Sequence, residues 1–137
     1  MPSIRHILET ALYCNDPGAV AEFYREVLGL ATLYQDDRLV ALDAGGQTVL
    51  LLFRRGASSE GVTAAGGQIP GHDGAGALHV AFAVGPDDLP DWEARLRAHR
   101  ISIESRVSWP RGGVSLYVRD PEGHSVELAT PGVWASY

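Results

Sequence analysis

The feature that most constrains this chain is an internal duplication. Residues 7–14 (Ile-Leu-Glu-Thr-Ala-Leu-Tyr-Cys) read as a strand and lead into Asn15-Asp16-Pro17. Asp can cap free helix amides, and Pro suits a first turn whose amide has no partner. Val20, Phe23, Tyr24, Val27 and Leu28 then recur on one face at helical spacing. Gly29 ends that helix, as a residue free to take positive φ. Three strands follow near 31–35, 38–43 and 47–54, with turn signals at Asp36-Asp37 and Ala44-Gly45-Gly46. The second half repeats the order: a strand at 77–84, a helix opened by Pro86-Asp87-Asp88, and strands near 101–107, 113–119 and 124–130. Leu89, Trp92 and Leu96 mark the buried face of its helix. Two copies of strand-helix-strand-strand-strand predict an α+β fold of two βαβββ modules. By local similarity Asp43-Ala-Gly-Gly-Gln-Thr-Val-Leu matches Asp120-Pro-Glu-Gly-His-Ser-Val-Glu, which sets Leu50 against Glu127.

The spacing divides the 137 residues into module one at 4–54, a Gly-rich linker at 55–76, module two at 77–131 and a tail at 132–137. The linker shows no apolar periodicity and is expected to be structureless, partly a lid over a cavity. The tail segment Pro131-Gly132-Val133-Trp134 is expected to fold back over apolar surface. No run approaches the roughly eighteen apolar residues of a membrane-spanning helix, and Met-Pro-Ser-Ile-Arg-His is not a signal peptide's opening. A net charge of −6 without a basic stripe argues against nucleic acid as a partner. Every one of the 11 basic residues is arginine, which removes Schiff-base and phosphate-loop lysine chemistry. Cys14 is the only cysteine, so there is no internal disulfide, and a cytoplasmic setting is expected.

Strand alternation sorts side chains by face. Leu78, Val80, Phe82 and Val84 face the second helix, which turns His79 the other way; by the same rule Glu9 and Tyr13 lie opposite the first helix. Ser115, Tyr117 and Arg119 share a side, as do Ser125 and Glu127. Glu9, His79 and Glu127 therefore stand mid-strand among small neighbours, away from the helices. Two carboxylates and an imidazole neutralise a divalent cation and leave positions open for substrate. On spacing alone the alternative stands beside it: surface glutamates and a histidine satisfied by hydrogen bonds.

Leu12-Tyr13-Cys14-Asn15-Asp16-Pro17 leading into Phe23-Tyr24-Arg25-Glu26-Val27-Leu28-Gly29-Leu30 resembles the vicinal oxygen chelate superfamily. So do His79-Val80-Ala81-Phe82 and Arg119-Asp120-Pro121-Glu122-Gly123-His124-Ser125-Val126-Glu127-Leu128. That superfamily holds glyoxalase I, extradiol dioxygenases, fosfomycin-resistance enzymes and bleomycin-binding proteins. The resemblance implies sheets curled around a metal and substrate cavity. By position it makes Glu9, His79 and Glu127 the ligands of one divalent metal (Fe, Mn, Ni, Co or Zn). With Leu50 at the remaining ligand position, a strict glyoxalase I set is incomplete, and three ligands resemble the dioxygenase triad.

Tyr117 resembles the active-site tyrosine of the dioxygenase branch, a proton donor to a bound oxygen. Catalytic roles are thus expected for Tyr117, Glu127 and, from its loop, His72. Tyr13, Ser115, Arg119 and Arg111 are expected to contact substrate. The resemblance implies glyoxalase-like lyase or isomerase chemistry through a metal-stabilised enolate on a small oxygenated molecule. Extradiol ring cleavage is the first alternative, and a non-catalytic bleomycin-resistance-like binding protein the second. The thiol-transferring fosfomycin branch shares the ligand set and Tyr117, but the missing lysine argues against it. Short chains of this kind imply a homodimer with shared cavities.

Overall fold

The computed structural model describes all of residues 1–137 as two compact units, Met1–Gly76 and Ala77–Tyr137. In unit 1, β1 (Glu9–Cys14) precedes α1 (Pro17–Glu26), β2 (Ala31–Gln35), β3 (Leu39–Ala44) and β4 (Thr48–Arg54). They form a four-stranded sheet in the order β1-β4-β3-β2, with β1 parallel to β4 and the other pairs antiparallel. Asp16 caps α1 by accepting the Ala19 N–H at 3.2 Å, and Gly29 takes φ 76° where the helix stops. Val20, Ala21 and Tyr24 of α1 are buried, as are Leu12, Val40, Leu42, Leu50 and Leu52 of the sheet.

The stretch expected to be a structureless linker is folded within unit 1. Val62–Ala64 (β5) and Gly67–Ile69 (β6) pair as an antiparallel hairpin. Short strands joined by a tight turn leave no apolar periodicity to read, which is why the sequence looked featureless. The chain beyond the hairpin returns over the sheet face opposite α1. There His72 sets its ring edge-on to Phe53 with centroids 4.6 Å apart. Gly74 passes so close over Tyr13 that a Cβ there would lie 2.4 Å from Tyr13 Cδ2.

Unit 2 repeats the arrangement. β7 (His79–Ala83), a 3-10 turn (Pro86–Asp88), α2 (Leu89–Ala98), β8 (Ser105–Ser108), β9 (Val114–Arg119) and β10 (Ser125–Ala129) follow in order. The sheet order is β7-β10-β9-β8, with β7 parallel to β10. Leu116, Val118, Val126 and Leu128, alternating with the polar face, are at most 1% exposed, and α2 buries Leu89 and Leu96. β8 starts later than the expected 101–107 because the Ile101 N–H still closes the end of α2, donating to the Leu96 carbonyl at 2.9 Å. Of the tail segment expected to fold back over apolar surface, Trp134 is 73% exposed, and the residue that ties the tail down is Tyr137. The Tyr137 hydroxyl donates to the Ala129 and Val84 carbonyls at 2.9 and 3.3 Å. No helix is long and apolar enough to cross a membrane.

Register corrects the match between the halves. In the ladders Glu9 pairs with Val49 and His79 with Ser125, so the counterpart of Glu127 is Leu51 rather than Leu50. Similarity in the turns had aligned Asp43 with Asp120, but the ladder sets Asp43 opposite Val49 and Arg119 opposite Ser125. A slip of one residue exchanges sheet faces. Leu50 is 1% exposed on the helix side, whereas Leu51 is half-buried on the opposite face. Leu50→Glu is therefore expected to cost about 3–5 kcal/mol, the penalty of an unpaired buried charge. Leu51→Glu should cost far less. Urea unfolding of both variants checks the assignment.

Candidate functional site

Unit 2 concentrates polar side chains on the sheet face away from α2. Glu127 lies on central β10, opposite Tyr117 of β9 and Ala81 of β7. It is 6% exposed, and a carboxylate so buried needs donors or a cation. Ser115 Oγ donates to Glu127 Oε2 at 2.6 Å, and the Trp109 indole Nε1–H donates to Ser115 Oγ at 2.8 Å. Burial first, and then the Glu127 charge, push Tyr117 above the ordinary tyrosine range, so it is a protonated phenol at neutral pH.

His79 stands on flanking β7 with its ring 6.4 Å from that of Tyr117, half open to solvent. Its Nδ1 is 2.9 Å from the Ser125 carbonyl, which can only accept, so Nδ1 carries the proton. In the neutral ring Nε2 is then a bare lone pair, 3.4 Å from Glu127 Oε1. That separation is long for a hydrogen bond. It suits two donors each about 2.1 Å from one ion, which stand roughly 3.0–3.4 Å apart at ordinary coordination angles. A histidine locked by a backbone carbonyl and a carboxylate locked by a hydroxyl are the outer supports that metal ligands use. The donor set thus fits a divalent cation.

Other expected residues are distributed differently. Glu9 is exposed on β1 of unit 1, and no group of three or more His, Cys, Asp or Glu side chains that could hold a metal ion is gathered. Tyr13 and His72, 59 residues apart in sequence, share a 2.6 Å hydrogen bond in unit 1. Burial, then the charge of Asp73, raise the Tyr13 pKa. The Gly56 and Gly74 amides hold Asp73 below the usual carboxylate range, which fastens the loop that carries His72. Arg119 is forked onto Glu104, with Nε to Oε2 at 2.6 Å and Nη2 to Oε1 at 3.2 Å. Together with Ser105, Tyr117 and Ser125 that pair lines an open cavity of about 270 Å³. Arg111 lies in an exposed turn.

Asp120-Pro121-Glu122-Gly123 makes the turn its sequence announces, closed by Gly123 N–H donating to the Asp120 carbonyl at 2.9 Å. Its unforeseen part is buried: Asp120 Oδ2 takes the His124 Nδ1 proton at 2.8 Å, with the His124 ring 0% exposed. Sequence reasoning missed Trp109 and Glu104 as parts of the site. A tryptophan before Pro110 in a Gly-rich turn hints at packing, but nothing local shows its indole turning back to Ser115. The Ser125 carbonyl is backbone, so residue type could not mark it.

A family profile, the Glyoxalase/Bleomycin resistance protein/Dioxygenase superfamily, matches residues 3–128. Among solved structures the chain is similar to a lactoylglutathione lyase from Agrobacterium tumefaciens: 34% identical, TM-score 0.88, covering 98% of this chain and 99% of that one. A glyoxalase/bleomycin resistance protein/dioxygenase from Nocardioides has the same fold at 22% identity and TM-score 0.69, over 95% and 85% of the two chains. Metallothiol transferase FosB of Staphylococcus epidermidis is 26% identical over 110 residues, 80% of this chain and 71% of that protein.

Glu127→Gln is expected to bring the Tyr117 phenol back toward 10, since it removes the neighbouring negative charge but leaves the burial. NMR titration of ring-labelled tyrosine, with Tyr117→Phe assigning the resonance, measures the change.

Proposed function

Because this chain belongs to the Glyoxalase/Bleomycin resistance protein/Dioxygenase superfamily, we propose that it is a divalent-metal-dependent lyase or isomerase acting on a small molecule with adjacent oxygens. Members of this superfamily are mostly metal-dependent enzymes on small molecules, and they often form dimers. The observation that carries the reading is the His79–Glu127 pair, with Nε2 and Oε1 3.4 Å apart and each ring or carboxylate locked from behind. Glu9 of unit 1 is equivalent in strand position to His79 of unit 2, which supports it as a further candidate ligand: each precedes, by two residues, an alanine that pairs with the Leu51 or Glu127 position. The similarity to a lactoylglutathione lyase at 34% identity supports lyase chemistry.

A cation held there supplies Lewis-acid binding of vicinal oxygens and offsets negative charge that develops on them. The chain's own groups do the rest. Ser115 fixes the Glu127 carboxyl group by donating to Oε2. Tyr117, kept protonated by burial and by Glu127, donates to a substrate oxygen above β10. His72, hydrogen-bonded to Tyr13, is the acid–base candidate of unit 1. The cavity beside Tyr117 receives the rest of the substrate between Ser105, Ser125 and the Arg119–Glu104 pair. That pair cancels most of Arg119's charge, so uncharged polar groups suit it better than anions.

Thiol transfer to an oxygenated electrophile is a second reading, favoured by the 26% identity to a metallothiol transferase over 80% of the chain.

Metal analysis of untagged protein after mild dialysis is expected to find near-stoichiometric Zn, Ni, Co or Mn, reduced at least tenfold in Glu127→Ala. Turnover of thiol hemiacetals supports the lyase reading, and consumption of a thiol with an epoxide supports transfer. Iron with oxygen uptake on catechols replaces both with ring cleavage. Absence of binding to every ion added leaves a small-molecule binding protein.

A further inference from the structure

We propose that Trp109 is a positioning residue for Glu127, acting through Ser115 to reserve one carboxylate oxygen for a bound cation. The inference rests on the metal reading above and adds a residue that the expected ligand set does not contain.

An indole N–H can only donate. At 2.8 Å it occupies a lone pair of Ser115 Oγ, so the single hydroxyl proton has nowhere to turn except away from Trp109. Glu127 Oε2 receives that proton at 2.6 Å. Without the indole, a serine hydroxyl rotates among staggered positions and its proton is undirected. Ser115 is 0% exposed, so water cannot replace the donor without opening the sheet. With Oε2 committed, Oε1 is the oxygen left facing His79 Nε2. The relay therefore sets the carboxylate's rotation.

Trp109 can do this because its turn is pinned on three sides. Its own N–H donates to the Gly113 carbonyl at 2.8 Å, and the Gly112 N–H donates to the Trp109 carbonyl at 2.9 Å. The Gly113 N–H reaches the Gly132 carbonyl at 3.2 Å. These two backbones are so close that a Cβ on Gly113 would lie 2.5 Å from the Gly132 carbonyl carbon. Thr130 Oγ1 accepts the Val114 N–H at 2.8 Å, which ties the start of β9 to the chain leaving β10. Glycine at 113 and 132 thus has a reason beyond turn formation: it permits the approach that fixes the indole.

Two measurements test the proposal. In metal-free protein, the Trp109 indole N–H resonance is expected to move, and its solvent exchange to quicken, in both Ser115→Ala and Glu127→Gln. A Trp109 resonance indifferent to both substitutions overturns the relay, whatever the protein binds. In zinc titrations by calorimetry, Trp109→Phe and Ser115→Ala should each weaken binding about 10–100-fold. The double variant should be no weaker than Ser115→Ala alone, because both act through one hydroxyl. Zinc affinity unchanged in Trp109→Phe, or effects that simply add, overturns the proposal. Wild-type protein that takes no zinc or other divalent ion defeats the metal reading instead, and with it the reserved oxygen, while the indole resonance separately decides the coupling.

Discussion

A carboxylate on the central strand of a sheet, 6% exposed, has to be matched by donors or by a cation, and much of unit 2 is arranged around that requirement at Glu127. Strand pairing alone brings Tyr117 opposite it and His79 diagonally beside it. Ser115 and Trp109 then hold one oxygen from behind, and the Ser125 carbonyl holds the imidazole from behind. The 3.4 Å gap between Nε2 and Oε1 is left as the place where neither group completes its bonding with the other.

The two units use one topology for different surfaces. Where unit 2 presents His79, Glu127, Tyr117 and Ser115, unit 1 presents Leu39, Ala41 and Phe53, with Ala11, Tyr13 and Leu51 packed against them. Leu51 in the position of Glu127 is the sharpest instance. An apolar face can be covered by chain without polar cost, and the 55–76 stretch covers part of this one, setting His72 on Phe53 and bonding it to Tyr13. The duplicated scaffold thus supports a polar centre in one unit and an aromatic wall with a single acid–base pair in the other.

Much of this was legible in the sequence because strand and helix periods are local properties. The order of elements, the α1 cap at Asp16, the stop at Gly29 and the turn at Asp120–Gly123 all follow from side chains within a few residues of one another. So does the assignment of His79, Glu127, Tyr117 and Ser115 to one face, since alternation fixes sides once a strand is recognised. The superfamily resemblance, read on the same motifs, is shown by a profile that spans residues 3–128. What was misread concerns distance along the chain: the folded hairpin at 62–69, the late start of β8, and Leu50 in place of Leu51.

By itself, then, the sequence determined the duplicated α+β architecture, the polar face and the candidate ligands, because these depend on spacing and residue type. Tertiary structure decided register, and with it which leucine answers Glu127, because ladder hydrogen bonds rather than side-chain likeness set the pairing. It also decided the bonds that span sequence: Tyr13 to His72, Arg119 to Glu104, and Trp109 through Ser115 to Glu127. Such bonds depend on where folded segments return in space. No periodicity encodes that return, and the buried carboxylate shows its need for partners only once the sheet around it has closed.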